Sequence, residues 1–436
     1  MNKRIHFIGI GGIGMSALAR FYVHEGAVVT GSDRSPSIIT EGLEALGIEI
    51  SYEQKADNIS SRKDLELVVY TEAMSEDNPE MMVARTLGVP MMNYFEALGQ
   101  VANEHYLIAV AGTHGKTTTT AMITDILEEA GLDPTAIIGS LRSKTKSNFR
   151  PGKSKYAVVE ACEYKRDFLH LKPDVLVITN LEYEHVDYYK SLADVQDAFR
   201  SLALQVRDGG VIVTDTANPN IASVIKDLNN DGHRVTVIDY REQLDLSLSL
   251  RQPGMYNRLN AAAAKAAALH LGVESKVATT ALENFAGTWR RFEYKGDIIP
   301  VTGGRVPVYD DYGHHPTEIR SALAGARELH PASRLIVVFQ SHTYSRTHTL
   351  FDDFITALTS ADHVYLLPIY SAREENVWGV TSEKMIEALN AKSTPAELCQ
   401  TAPALAEHLK ATVEDGDVVM VMGAGSVTQV AVELTS

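Results

Sequence analysis

Residues 106–131, YLIAVAGTHGKTTTTAMITDILEEAG, leave this chain few folds to choose from. Tyr106 to Ala111 are mostly apolar and read as a buried strand. GTHGKTTTT follows from Gly112 to Thr120, then an amphipathic helix stopped by Gly131. A strand that turns through glycines into a helix beginning Lys-Thr is a phosphate-binding loop. Gly112 and Gly115 let the backbone turn and aim N–H groups at phosphate oxygens, and the helix adds its positive dipole end. Lys116 supplies a point charge for terminal phosphates, and Thr117 a hydroxyl for Mg²⁺. The pattern GxxxxGK[ST] is imperfect, because Val110 stands where its first glycine falls. The expectation is an ATP site built from Gly112, Thr113, His114, Gly115, Lys116, Thr117 and Thr118.

A second glycine loop lies near the start. RIHFIGI (residues 4–10) reads as a strand, running into Gly9-Ile-Gly11-Gly12-Ile13-Gly14 and a helix from Met15 to His24. A further strand, Ala27 to Thr30, ends at Gly31-Ser32-Asp33. GxGxxG with an acidic residue after the next strand is the dinucleotide fingerprint and by itself says NAD. Any βαβ unit that holds a diphosphate or a nucleotide diphosphate-sugar needs the same glycines. Thr71 lies just beyond another strand, Leu65 to Tyr70, on the sheet edge where ligands sit.

Between and after these loops, strands and helices alternate to the end of the chain, which predicts α/β layers throughout. Strands are expected at 155–160, 174–179, 211–215, 234–239, 306–309, 334–340, 363–368 and 417–422. A chain of 436 residues holds two to four domains. Breaks near Asn103 and Tyr294 divide it into three, 1–103, 104–293 and 294–436: Rossmann-like, P-loop-type and Rossmann-like. Glu160 ends one central strand and His185 follows another, so both are candidate Mg²⁺ ligands or, in the plainer reading, a solvated strand end and a loop histidine. Asn257 and Asn260 share a face at the start of an alanine-rich helix, where they bind a base or phosphate or merely cap it. Arg290-Arg291 suit clamping of a carboxylate or phosphate. Adjacent His314 and His315 invite a metal reading, but neighbours on an extended segment point opposite ways and no cysteine lies near, which argues against zinc.

The net charge of −16 disfavours a broad nucleic-acid surface, although the basic run from Arg142 to Lys155 is a local candidate for gripping a phosphorylated small molecule. Two cysteines, Cys162 and Cys399, make no disulfide framework and fit a reducing cytosol. Lys3-Arg4 before an apolar run mimics a signal peptide, but His6 and the glycines break the run. No apolar stretch reaches about 18 residues, so a cytoplasmic protein without a membrane span is expected.

GTHGKTTTT, EAxE after a strand, TNLExxH, YNRLNAAAA, RRF and DDYGHHPTE occur in this order, and HFIGIGGIGMSALA precedes them. This set resembles the Mur ligases over essentially the whole chain, most of all those that join L-alanine to UDP-N-acetylmuramate. The resemblance implies a three-domain, ATP-dependent amide ligase of peptidoglycan synthesis, acting as monomer or homodimer. Gly11, Gly12, Ile13 and Gly14, with Asp33 and Thr71, would serve UDP and not NAD. Lys116 and Thr117 would hold MgATP, with Glu160 and His185 on the metal. Asn257, Asn260 and Asp310 would contact adenosine or phosphate. Tyr312, His315, His342 and Arg346 would serve the substrates, and Arg291 the transferring phosphoryl group. The muramate carboxylate would attack the γ-phosphate, and the amine of L-alanine or another small amino acid would displace phosphate.

Three departures stand out. Where the family reads FQPHRYxRTR, Thr343 and His348 replace arginines that recognise the amino acid's carboxylate. Cys162 stands where an aspartate is usual, and Gly425-Ser426 replaces Gly-Asp. The alternatives to be tested are a sister ligase with another acceptor, a nicotinamide-dependent oxidoreductase, and a UDP-sugar-binding regulator without ATP turnover.

Overall fold

A computed structural model describes residues 3–436 except 63, 187, 232, 233, 301, 302 and 373. Among the described residues the strands form three sheets. The first holds β1 (Arg4–Ile8), β2 (Val28–Ser32), β3 (Glu49–Ser51), β4 (Leu67–Tyr70) and β5 (Met91–Asn93), all parallel, in the order β3-β2-β1-β4-β5. The second holds β6 (Tyr106–Ala111), β7 (Thr135–Arg142), β8 (Ser147–Arg150), β9 (Tyr156–Glu160), β10 (Val175–Ile178), β11 (Val211–Thr214) and β12 (Thr236–Asp239). Its order is β12-β11-β10-β6-β9-β7-β8, and only the β7–β8 hairpin is antiparallel. The third holds β13 (Glu293–Ile298), β14 (Val306–Asp311), β15 (Arg334–Phe339), β16 (His363–Leu366), β17 (Ala396–Leu398) and β18 (Asp417–Met422). It runs β13-β14-β18-β15-β16-β17, with β13 antiparallel. This is the three-layered α/β architecture that the alternating sequence pattern calls for.

The sheet centres explain why the strands read as apolar runs. In β6 every residue from Leu107 to Ala111 is inaccessible, covered on both faces as a central parallel strand must be. Leu107, Ile108 and Val110 each contribute about 1.5–3 kcal/mol by leaving water. The order of each sheet then fixes where ligands belong. β1 lies between β2 and β4, and β6 between β10 and β9, so the chain leaves each strand at a point where successive connections diverge. A crevice opens there at the carboxyl ends. Both glycine loops leave from these two strands.

The chain forms two compact units, 1–245 with 259–286, and 246–258 with 287–436. The first contains the first two sheets, and the second contains the third sheet. Residues 246–258, which sequence position places in the central domain, pack with the C-terminal sheet. One reading fails. The basic run from Arg142 is structural: Arg142 is buried and paired with Asp125 and Glu128, while Arg150 meets Asp133 at 2.8 Å. These arginines brace the β7–β8 hairpin against the helix Lys116–Glu129. Charge density in a sequence does not separate an exposed patch from a buried ion-pair network.

Candidate active site

In the first unit, the helix Ile13–His24 starts at Gly12 with no side-chain cap, and the helix Lys116–Glu129 starts the same way at Gly115. First-turn N–H groups have no intrahelical acceptor, so both starts are suited to an anion. The loop between β1 and the first helix is shaped from behind. Gly9 and Ile10 donate to the Ser32 carbonyl at 2.8 and 3.0 Å, and Gly11 donates to Asp33 Oδ2 at 2.7 Å. Asp33, the acidic residue of the fingerprint, therefore folds back onto the loop it follows. Thr71 caps the other side, since a methyl group on Gly9 would lie 2.6 Å from its Cγ2.

The second loop is stitched to the segment after β10. Thr113 N donates to the Asn180 carbonyl at 3.2 Å and His114 N to Asn180 Oδ1 at 2.9 Å. Asn180 Nδ2 returns to the His114 carbonyl at 2.9 Å, and Glu182 N donates to Thr113 Oγ1 at 2.8 Å. The TNLE run is thus the brace of the phosphate loop. Gly115 has φ +81°, and a side chain there would strike the Asn260 carboxamide. Asn260 is buried against the loop, whereas Asn257 turns back to the Pro253 carbonyl at 2.9 Å. The two asparagines share a helix but not a task.

Lys116 Nζ donates to the Gly112 and Thr113 carbonyls at 2.6 and 3.1 Å and lies 2.9 Å from Glu163 Oε2. Burial works against the ammonium, but Glu163, Cys162 and Glu160 overcome it and raise its pKa. Glu163 is itself inaccessible; burial opposes its charge, yet Lys116 and His185 hold its carboxyl below the ordinary value. His185 Nε2 lies 3.5 Å from Glu163 Oε1, and its ring rests 4.9 Å from that of Tyr164. Beside this cluster Thr117 Oγ1 donates to Glu160 Oε2 at 2.8 Å, and Gly139 N donates to the same oxygen at 3.0 Å. Any side chain at Gly139 would collide with that carboxylate. A hydroxyl and a carboxylate side by side at the loop are the hard oxygen donors that Mg²⁺ takes. Thr117 and Glu160 fit that ion; His185 is engaged by Glu163.

Sequence reasoning gave no role to three residues here. Glu163 and Asn180 stand inside the EAxE and TNLExxH runs, the signal that could have found them. Gly139 carries no such signal, because only the fold brings it to Glu160. Thr118 is buried in the helix's first turn. Cys162 lines a neighbouring cavity, and burial with Glu163 pushes its thiol up to about 12, so it stays protonated.

In the second unit, β14, β18 and β15 end side by side, and loops 312–315, 340–343 and 423–426 follow them, the second leading into the helix Tyr344–Thr349. Arg290 is buried, with Nε 3.2 Å from Asp310 Oδ2 and a further bond to the Gly423 carbonyl. Thr428 Oγ1 donates to Asp310 Oδ2 at 2.5 Å. Asp310 is fully buried with both oxygens engaged, so it anchors Arg290. Arg291 is the more exposed arginine, 5.3 Å over the Tyr312 ring and 3.8 Å from Glu318. His315 caps the helix Pro316–Leu329, its Nδ1 accepting from Thr317 N at 3.3 Å, and His314 packs edge-on against Tyr312. The histidine pair therefore has two structural tasks.

His342 stacks on Tyr370 with ring centres 5.5 Å apart, and Arg346 Nη1 donates to the His342 carbonyl at 2.8 Å. Burial and Arg346 lower the His342 pKa and favour the neutral ring. At the two positions that depart from the family pattern, Thr343 Oγ1 donates to Glu374 Oε1 at 2.8 Å and His348 stacks on Trp378. Ser345 N and Oγ donate to the same carboxylate at 2.8 and 2.5 Å.

Three models match the chain in order: "Mur ligase family, catalytic domain" over residues 4–106, "Mur ligase middle domain" over 110–246, and "Mur ligase, glutamate ligase domain" over 290–425. The chain belongs to the Mur ligase family. Its similarity to other Mur ligases runs from end to end. A UDP-N-acetylmuramate–L-alanine ligase of Agathobacter rectalis is 39% identical, covering 99% of this chain and 97% of its own. One from Clostridium tetani is 38% identical over 98% and 96%. The crystal structure of a UDP-N-acetylmuramate–alanine ligase from Thermotoga maritima superposes with a TM-score of 0.80 at 28% identity, covering 99% of this chain and 98% of that one. Among Mur ligases, then, this chain carries an ATP-dependent ligase architecture. Among the described residues no helix is long and apolar enough to cross a membrane.

Proposed function

We propose that this Mur ligase joins L-alanine to the carboxylate of UDP-N-acetylmuramate, converting ATP to ADP and phosphate, as a step of peptidoglycan precursor synthesis. The observation that carries the reading is full-length similarity to relatives of that name, together with two anion loops and the Thr117–Glu160 pair in one unit. Domain limits at residues 103 and 293, a cytoplasmic location and a monomeric or homodimeric state belong to the same reading.

The chemistry follows from the residues. A carboxylate is a poor acyl donor, so one of its oxygens attacks the γ-phosphorus, the bond to the bridging oxygen of ADP breaks, and an acyl phosphate forms. The amino acid's neutral amine then attacks the acyl carbon, phosphate leaves with that carboxylate oxygen, and the amine proton passes to solvent or base. Two anions must meet in the first step, and Lys116 offsets their repulsion on the phosphate side. Mg²⁺, held by Thr117 and Glu160, would neutralise charge on the phosphate oxygens. Glu163 keeps Lys116 charged and aimed, with His185 behind it. Gly11, Gly12, Ile13 and Gly14 bind the uridine diphosphate, with Asp33 and Thr71 setting the loop's shape. Asn260, packed against the phosphate loop, would serve ATP, Asn257 acts through its bond to the Pro253 carbonyl, and Asp310 acts by fixing Arg290. Arg291 and Tyr312 would serve the transferring phosphoryl group, His315 would act by capping the helix Pro316–Leu329, and His342 with Arg346 would receive the amino acid.

The test is product mass. Incubation with ATP, Mg²⁺, UDP-N-acetylmuramate and equal L-alanine, L-serine and glycine should yield the alanyl product in excess. A dominant seryl or glycyl product would move the specificity, which the carboxylate of Glu374 beside Thr343 makes the weakest inherited element. No product from any of them would defeat the reading.

A further inference from the structure

A cavity of about 320 Å³ in the first unit is lined by the glycine loop, Thr71, Glu72, Tyr94, Glu160 and Cys162. Its volume is at the low end for ligand pockets, room for a sugar-sized group and not for a whole nucleotide. Much of the wall is apolar, including Met15, Phe95, Ile137 and Ile138. In such a pocket the few polar groups decide orientation.

Tyr94 is one of them. It opens the helix Tyr94–Ala102, whose start is locked by a reciprocal cap: Glu96 N donates to Asn93 Oδ1 and Asn93 N to Glu96 Oε2, both at 2.8 Å. Its ring lies directly on the loop. A methyl group on Gly14 would sit 2.6 Å from Tyr94 Cζ and 2.8 Å from its hydroxyl oxygen. The third glycine of the fingerprint is therefore required here by a tyrosine, in addition to any helix-on-strand packing. Among the described residues the hydroxyl has no hydrogen-bond partner. Burial, with Glu160 and Cys162 nearby, raises its pKa, so it remains an O–H donor at any working pH.

We propose that the Tyr94 hydroxyl donates to the sugar portion of the nucleotide-sugar substrate, fixing the sugar between the glycine loop and Glu160. The inference rests on the function proposed above. With the diphosphate on Gly11 to Gly14 and the reacting carboxylate directed toward Glu160 and Thr117, the sugar has to cross this cavity beneath that donor. Tyr94 is then a substrate-binding residue whose contribution is specific to the sugar.

Titration calorimetry on the full chain tests it with Tyr94→Phe, which keeps the ring on Gly14 and removes only the hydroxyl. The variant should bind UDP-N-acetylmuramate about tenfold more weakly, the size of one lost hydrogen bond. Binding of UDP and of ATP should stay within about twofold of wild type. Equal weakening of UDP would place the hydroxyl on the diphosphate and overturn the proposal. Unchanged binding of all three would overturn it too. Wild-type protein that binds no UDP-N-acetylmuramate would defeat the parent reading, and this inference with it, a result that no behaviour of the variant imitates.

Discussion

The Glu163 carboxylate lies 2.9 Å from the Lys116 ammonium, both shielded from solvent, and His185 stands 3.5 Å behind it. The lysine that defines the phosphate loop is thus aimed by a glutamate 47 residues further on. Removing one partner of a buried pair leaves the other charge uncompensated, at a cost of about 3–5 kcal/mol. Glu163→Gln should lower the melting temperature clearly at pH 7 and reduce ATP turnover about a hundredfold. The sign with pH follows from the depressed Glu163 pKa: the pair's stabilisation is present above the usual glutamate value and is lost as pH falls through the lower folded value. The wild-type advantage in melting temperature should therefore shrink in acid. An unchanged melting temperature at pH 7 would remove Glu163 from the site.

Gly139 makes a second prediction. Its N–H donates to Glu160 at 3.0 Å, and no side chain fits beside that carboxylate. Gly139→Ala should displace Glu160 and raise the Mg²⁺ concentration needed for half-maximal turnover at least tenfold. Binding of UDP, which needs only the glycine loop, should persist. A normal Mg²⁺ requirement would take Glu160 off the metal.

Much of this arrangement was legible beforehand. Both loops and the alternation of layers follow from apolar runs punctuated by glycine, which are local properties. What was not legible depends on residues far apart in sequence. Glu163 reaches Lys116 because β9 pairs in parallel with β6, so the segment after Glu160 runs beside the loop after Ala111. Asp310 and Arg291 look interchangeable with their neighbours in sequence, and only burial divides the pairs, giving Asp310 and Arg290 to each other. The run from Arg142 looked like a phosphate grip because no acidic partner is adjacent in sequence; Asp125 and Glu128 come from the preceding helix.

Asp167 is buried with Oδ2 unpartnered, and burial with the nearby Glu72 raises its pKa to about 7. The folded chain keeps this proton at pH values where the unfolded chain has lost it. The sign is therefore opposite to that of a paired carboxylate: stability falls as pH rises from about 4 toward 7. Asp167→Asn should raise the melting temperature at pH 8, with the gain shrinking toward pH 4. Equal shifts at both pH values would show that folding leaves the Asp167 pKa unchanged.

Glu374 holds Thr343 and Ser345 through three hydrogen bonds, directly beside His342 and Arg346. Glu374→Ala should free that segment and raise the KM for the amino acid about tenfold, the scale of losing bonds to a charged acceptor. The KM for ATP should stay unchanged. A parallel rise in both would mean a general loss of order in the second unit.

The most direct test of the acyl-phosphate account follows oxygen. UDP-N-acetylmuramate labelled with ¹⁸O in its carboxylate, turned over with ATP and L-alanine, should deliver one labelled oxygen to each phosphate released, read by mass spectrometry. Alanyl product accompanied by unlabelled phosphate, or by AMP and pyrophosphate, would contradict it.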